Sequence, residues 1–425
     1  MTVDRILRGP LLTATDSGVD FHADGCLAAA GENIAYAGSF AAFRGPERVP
    51  IEPARGTMLP PLLDIHIHIP QHPIRGDFVK GVPDDAPEGR LLAGLKKNVF
   101  PAEARCNDPA HAEAVVRQFQ ADTLAHGVVG GAAYMTSSAA ATEAAFSILP
   151  DTWSVGLVLM NQHCPSDLCT NESQLTSDID RIAARFGRRL IVTDRFAVAV
   201  DSPLRRKAAA LAERHGLRTQ THLNEQLAEK AFVETALYPG YDSYTDVYRR
   251  DGLLDHDCIV AHCIQMSDAE WEILAETQSV VAHCPTSNLH LGSGVMDLDT
   301  VVSRGLAYAI ATDVGASPTV SMLAEMKRFL LVHKGSSAAA TPAEALRRAT
   351  REPAKLLELG ERLGRLEPGR PLSFIEVESP AADTADTAEA AILALLPADM
   401  DRPTPTVNRV TVAGEVLFER APHHA

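Results

Sequence analysis

No apolar run in the sequence reaches the ~20 consecutive residues that a membrane-crossing helix needs. Cysteines paired at Cys-x-x-Cys spacing are also missing, and the seven cysteines are an odd number, so reduced thiols in a cytoplasmic protein are expected. Cys164 and Cys169 leave two readings open, a metal held in a loop or idle thiols. Positive charge is in deficit. Lys and Arg total 39 against 55 Asp and Glu, a net charge of -16, which argues against nucleic acid or an anionic membrane as partner. A solvated acidic surface accounts for that charge. Met1-Thr2-Val3-Asp4-Arg5 shows no charged stretch leading into an apolar secretory core, so a cytoplasmic location is expected.

What is present is length and apolar content. The 425 residues, 46% of them hydrophobic, suit a barrel of ~250 residues plus a second module. Residues 1 to about 58 read as short strands punctuated by Gly18, Asp24-Gly25, Gly31 and Gly38. Past the turns around Gly364 and Gly369, Leu372–Val377 and Val407–Phe418 read as strands, and Ala381–Ala398 as a helix. The expectation is a small β-sandwich domain composed of residues 1–58 and 363–425, flanking a central domain of residues 59–362.

In that central domain strand-like runs alternate with helix-like runs, the pattern of a parallel α/β fold. The strands are expected at Leu62–Ile67, Gly127–Tyr134, Val155–Met160, Leu190–Phe196, Arg218–Leu223, Cys258–His262, Ser279–His283 and Ala307–Thr312. Helices are expected at Ala110–Ala125, Leu204–His215, Asp268–Glu276 and Met322–Val332. Eight such strands imply a TIM-like (β/α)8 barrel, which carries its chemistry at the C-terminal ends of its strands.

Those ends hold histidines. Leu62-Leu63-Asp64-Ile65-His66-Ile67-His68 is an apolar run in which His66 and His68 share one strand face. Alone, the pair also fits two histidines on an ordinary surface strand. The company decides: His222, His262, His283 and Asp313 close further strand-like runs. His111, His126, His215, His333, His423 and His424 lie in helical or terminal stretches and read as ordinary surface or core residues. His66, His68, His222 and Asp313 offer three nitrogens and a carboxylate, a set that suits Zn²⁺ and is compatible with Fe²⁺. The open coordination position would hold a water activated for attack. Asp313 is expected to accept that water's proton, and His262 to stabilise the charge that develops. Glu225, three residues after His222, has two readings: a proton shuttle to a substrate ring, or an acid at the start of the next helix. His111-Ala112-Glu113 matches the small zinc nucleobase deaminases but lacks their Pro-Cys-x-x-Cys partner, so His111 is expected to be structural.

Together these motifs resemble the amidohydrolase superfamily, and within its chlorohydrolase and deaminase branch the guanine deaminases. The resemblance runs through Asp64-Ile65-His66-Ile67-His68-Ile69-Pro70-Gln71, Asn98-Val99-Phe100-Pro101-Ala102-Glu103 and Gln220-Thr221-His222-Leu223-Asn224-Glu225. It continues through a tyrosine-rich stretch, Leu237–Tyr248, expected to be a substrate-side loop, then Ala282-His283-Cys284-Pro285-Thr286-Ser287-Asn288 and Ala311-Thr312-Asp313-Val314-Gly315. It implies hydrolysis of guanine to xanthine and ammonia, with Gln71, Arg195, Phe196 and His283 holding the substrate. It also implies one metal per chain, because two-metal relatives carry a lysine on the fourth strand and Leu190–Phe196 has none. A homodimer is implied as well. Two departures leave the heterocycle open. Asp194 stands where proline is usual, and the segment from Gln71 to Phe100 is long, with Leu92-Ala93-Gly94-Leu95 in place of a bulkier aromatic sequence. A related aminopurine, a pterin, an aminotriazine or triazine dechlorination are the alternatives. A non-catalytic metabolite-binding barrel would be expected to lack several of these residues.

Overall fold

The structure, a computed structural model, describes residues 2–46, 48–379 and 384–421; His423 and His424 lie outside them. The strands are β1 (Arg5–Ala14), β2 (Val19–Ala30), β3 (Asn33–Ser39), β4 (Ile51–Pro53), β5 (Thr57–Leu59), β6 (Leu62–His68), β7 (Val128–Tyr134) and β8 (Trp153–Leu159). They continue with β9 (Leu190–Asp194), β10 (Arg218–Leu223), β11 (Cys258–His262), β12 (Val280–His283), β13 (Tyr308–Ile310), β14 (Phe374–Val377), β15 (Val407–Val412) and β16 (Glu415–Glu419). They belong to two compact units: residues 1–63, 121–129 and 320–425, and residues 64–120 and 130–319.

The first unit holds a mixed sheet in the order β16-β15-β14-β5-β1-β2-β3, with β4 pairing β1. Both chain termini therefore meet in one sheet, as expected: β5 from the N-terminal segment pairs antiparallel with β14, Met58 opposite Glu376. Strand alternation sends Leu7, Leu11, Leu27 and Phe374 into one apolar cluster and Ile6, Cys26 and Ala28 into another. Two local expectations change. The run Val407–Phe418 is a hairpin, because Ala413 and Gly414 take φ values of 50° and 84° and turn the chain between β15 and β16. The helix expected over Ala381–Ala398 is confined to Ala388–Leu395, started by Thr387, whose hydroxyl accepts the Ala390 N–H; its first expected residues lie outside the described ones.

The second sheet is the expected barrel, eight parallel strands in the order β13-β12-β11-β10-β9-β8-β7-β6. β6 to β12 carry no exposed residue, as strands covered on both faces require. Past β13 the chain returns to β6: Asp313 N–H donates to the His66 carbonyl at 2.9 Å, and His68 N–H to the Val314 carbonyl at 2.8 Å. β13 is shorter than Ala307–Thr312 because Thr312 turns inward, its hydroxyl donating to Asp64 Oδ2 at 2.5 Å. The helices between strands carry their own stop signals. Asp201 caps Ser202–His215 and Gly216 ends it at φ 59°; Ser267 and Glu270 form a capping box on Asp268–Thr277. The long segment after Gln71 is partly helical, with turns at Gly89–Gly94 and Leu95–Val99. Among the described residues no helix is long and apolar enough to cross a membrane.

Candidate metal centre and active site

Strand periodicity puts Asp64, His66 and His68 on one face of β6, and the barrel's curvature turns that face inward. Asp64 stays below the rim as a brace, held by Thr312 and by the His66 N–H at 3.1 Å. Burial pushes its carboxyl up to about 7. At the rim His66, His68, His222 and Asp313 converge, all buried, with one possible ligand atom from each lying within 4.8 Å of every other. Asp313 Oδ1 is 3.2 Å from His66 Nε2 and 3.1 Å from His68 Nε2. His222 Nε2 is 3.3 Å from His68 Nε2. The expected ligand set is thus one spatial group.

The donor chemistry fits a bound cation. His222 Nδ1 is 2.8 Å from the Arg195 carbonyl, a bond that needs the proton on Nδ1 and leaves the Nε2 lone pair facing the cluster. Burial, above all, disfavours the charged imidazoles: His68 falls to about 3, and His66 and His222 fall too. Burial also opposes ionisation of Asp313, but its contacts with His66 and His68 outweigh that and hold it ionised. Three imidazoles kept neutral beside one ionised carboxylate are the donor set of a metal site. The other oxygen of Asp313, Oδ2, accepts the Ser287 hydroxyl at 2.6 Å.

Glu225 and His262 flank the cluster. His262 Nε2 lies 3.6 Å from Glu225 and 3.9 Å from Asp313, while its Nδ1 is 2.9 Å from Asn288 Oδ1. Glu225 Oε1 accepts the Ser293 hydroxyl at 3.0 Å. Burial first, then the Asp313 charge, pushes the Glu225 carboxyl up to about 8, so it holds a proton at neutral pH. The helix that follows starts at Leu227, and its first-turn contacts with the backbone come from Glu229, which accepts the Glu225 and Gln226 N–H groups. Asn224, His262 and Asp313 take φ values of 51°, 73° and 52°, left-handed backbone of the kind that concentrates at functional sites.

An open space of about 310 Å³ is lined by His68, His222, Asp313, Glu225, Arg195 and Phe196, with Phe78, Leu91, Leu95 and Leu291 as apolar wall. Gln71 and His283 are buried but are not among these lining residues. Gln71 donates to Glu103 Oε1 at 2.9 Å and accepts the Gly315 N–H at 3.3 Å. Arg195 reaches the same Glu103 oxygen at 3.4 Å. Glu103, Ser287, Asn288 and Ser293 were not singled out by sequence reasoning; the first three fall inside the motifs quoted above, and Ser293 carries no signal. Tyr134 was also missed; its buried ring is centred 4.4 Å from that of His68 and 4.9 Å from that of His66. The tyrosine-rich stretch braces the site and does not line the cavity. Tyr248 donates to the His222 carbonyl at 2.9 Å, and Tyr244 to Glu229 at 2.9 Å. Cys164 and Cys169 lie with Sγ atoms 3.0 Å apart in the segment after β8, and His111 is on the helix Pro109–Ala125.

A (β/α)8 barrel with a buried three-histidine, one-carboxylate group at its C-terminal rim defines a metal-dependent barrel enzyme. The sequence pattern of the amidohydrolase family matches residues 57–417, and the chain belongs to that family. Over 343 residues it is 30% identical to the guanine deaminase of Rattus norvegicus, covering 77% of this chain and 73% of that one. A solved structure of E. coli guanine deaminase superposes with a TM-score of 0.86 at 26% identity, covering 99% of this chain and all of the other. A zinc complex of the atrazine chlorohydrolase from Arthrobacter aurescens shares the fold, with a TM-score of 0.79 at 19% identity, covering 99% of this chain and 96% of that one.

Proposed function

We propose that this hydrolase deaminates guanine, taking guanine and water to xanthine and ammonia. The observation that carries the reading is that Glu225 and Arg195 line one small cavity with His68, His222 and Asp313, so a proton donor, a cation and the metal-type ligands face the same bound ring. The likeness to guanine deaminases over most of the chain supports it.

His66, His68, His222 and Asp313 would hold one metal per chain, Zn²⁺ by donor type, with Fe²⁺ compatible. When bound, the metal supplies the Lewis-acid chemistry that makes water nucleophilic at neutral pH. Asp313 takes the proton released as water attacks C2. Glu225 protonates the ring nitrogen beside C2, so the ring accepts the electron pair. His262, its Nδ1–H held by Asn288 Oδ1, presents Nε2 to the attacking water and orients it by accepting its O–H. The proton on Asp313 then passes to the amino group, the C2–N bond breaks and ammonia leaves, and the proton left on the new oxygen returns to Glu225 as the C2 carbonyl forms. Arg195 and Gln71 bind the O6 and N7 edge, Phe196 packs on the ring, and His283 completes the ring's surroundings.

The same reading assigns catalysis to residues 59–362 and a composite β module to residues 1–58 and 363–425. With it go a cytoplasmic homodimer and a place in purine catabolism. The test is ammonia release from guanine, 8-oxoguanine, pterins, aminotriazines and a chlorotriazine, with metal analysis of the active protein. Guanine should be the best substrate and the metal content one per chain. A chlorotriazine turned over faster than any amine would replace deamination with dechlorination. Glu225 argues for deamination, since that reaction needs a proton on the ring. No activity on any of these substrates would leave a binding role.

A further inference from the structure

The catalytic cavity is not the largest open space at this end of the barrel. A second, partly open chamber adjoins it, about 710 Å³ against about 310 Å³ with open solvent counted in both, and Leu95 and Phe196 line both. The wall between them is the one-and-a-half-turn helix Gly89–Gly94 and the turn after it. Leu91 faces the catalytic cavity, Leu92 faces the outer chamber, and Leu95, one turn on, faces both. Gly94 permits this placement: a Cβ there would come within 2.8 Å of the Phe78 ring in the catalytic wall.

The chamber's chemistry is lopsided. Phe100, Phe196 and Val198 are buried, and with Leu92, Leu95 and Phe232 they make an apolar surface. Polar lining comes from His163 and from Glu88 and Lys96, which lie 3.5 Å from each other. An alkyl or aryl group placed there leaves water for apolar surface. A sugar would give up hydration of its hydroxyls and meet few partners. An amino-heterocycle bound against Phe196 has the chamber on the other side of that same residue.

We infer that the chamber is a subsite for an apolar substituent: the substrates include aminated heterocycles that carry an alkyl or aryl group, the ring in the catalytic cavity and the group in the chamber. This rests on the deaminase reading and adds a substrate class to it.

The test compares guanine with guanines bearing methyl, propyl or benzyl at N7, N9 or C8. Each is assayed for ammonia release by the metal-loaded parent and by Leu92→Trp and Ala228→Leu, two substitutions that fill the chamber. At one ring position, each added methylene should lower KM about two- to fourfold. The filled variants should lose that gain while guanine turnover stays within about twofold of the parent. Two outcomes overturn the subsite: no substituted guanine is hydrolysed while guanine is, or filling slows guanine and its derivatives equally, which makes the chamber a passage. Guanine and all derivatives inert together would instead sink the deaminase reading on which the subsite rests.

Discussion

The Ser287 hydroxyl donates to Asp313 Oδ2 at 2.6 Å, leaving Oδ1 for His66 and His68. One carboxylate therefore has its two oxygens divided between a fixed hydrogen bond and the metal-type cluster. Removing the hydroxyl frees the carboxylate to rotate. Ser287→Ala should lower kcat/KM by roughly 10–100-fold, the usual loss when a partner of a metal ligand is removed. Metal analysis at saturating zinc should still find the ion. Unchanged kinetics would show that the backbone around Asp313 orients it without help.

Glu225→Gln keeps the size of the side chain and the contact with Ser293 but removes the proton that burial holds on the carboxyl. A positioned acid–base group contributes ~10²–10⁴-fold, so kcat should fall at least that far with metal content unchanged. Near-parent turnover would mean that the residue is structural.

Arg195 shares Glu103 with Gln71, so its replacement also strips a buried acid of its cation. Arg195→Ala should cost about 1.5–3 kcal/mol in guanine transition-state binding, or ten- to a hundredfold in kcat/KM. A carbonyl-free substrate should lose much less. Glu103→Gln separates the two effects. If it alone reproduces the whole loss, Arg195 is held for packing and does not read the ring.

Glu229 sets a pH dependence of stability. Burial, above all, raises its carboxyl to about 7, above the ordinary value near 4.5. The folded state therefore keeps the proton in a range where the unfolded chain has lost it. That stabilising contribution is full below about 4.5 and is lost as pH rises through about 7. Relative to the parent, Glu229→Gln should gain roughly 1–3 kcal/mol on going from pH 4.5 to 7.5. Urea midpoints of the metal-free proteins at those pH values measure it. A parallel pH dependence of the two proteins would place the titration elsewhere.

The barrel strands and the cluster residues are legible in the chain because both are encoded locally. Apolar runs such as those of β6, β8 and β9 mark strands covered on both faces, and period-two spacing puts His66 with His68 without knowledge of any other strand. The turn between β15 and β16 is less legible. Ala413 is not a residue that announces a positive φ, so the strand reads as continuous.

The residues that finish the site depend on contacts that no local pattern carries. Thr312 meets Asp64 across 248 positions, Arg195 meets Glu103 across 92, and Ser293 meets Glu225 across 68. Thr312 and Glu103 fall inside the motifs quoted above, but those motifs do not say which distant residue each meets, and Ser293 has no motif around it. By itself the sequence determined which side chains offer metal-type donors and that the three histidines ride on β6 and β10. Closure of the barrel decided the rest, because only when β6 and the segment after β13 come together do distant polar groups lose water and have to find each other. The outer chamber belongs to that second kind of information, since it is a space between elements and no residue of the sequence marks it.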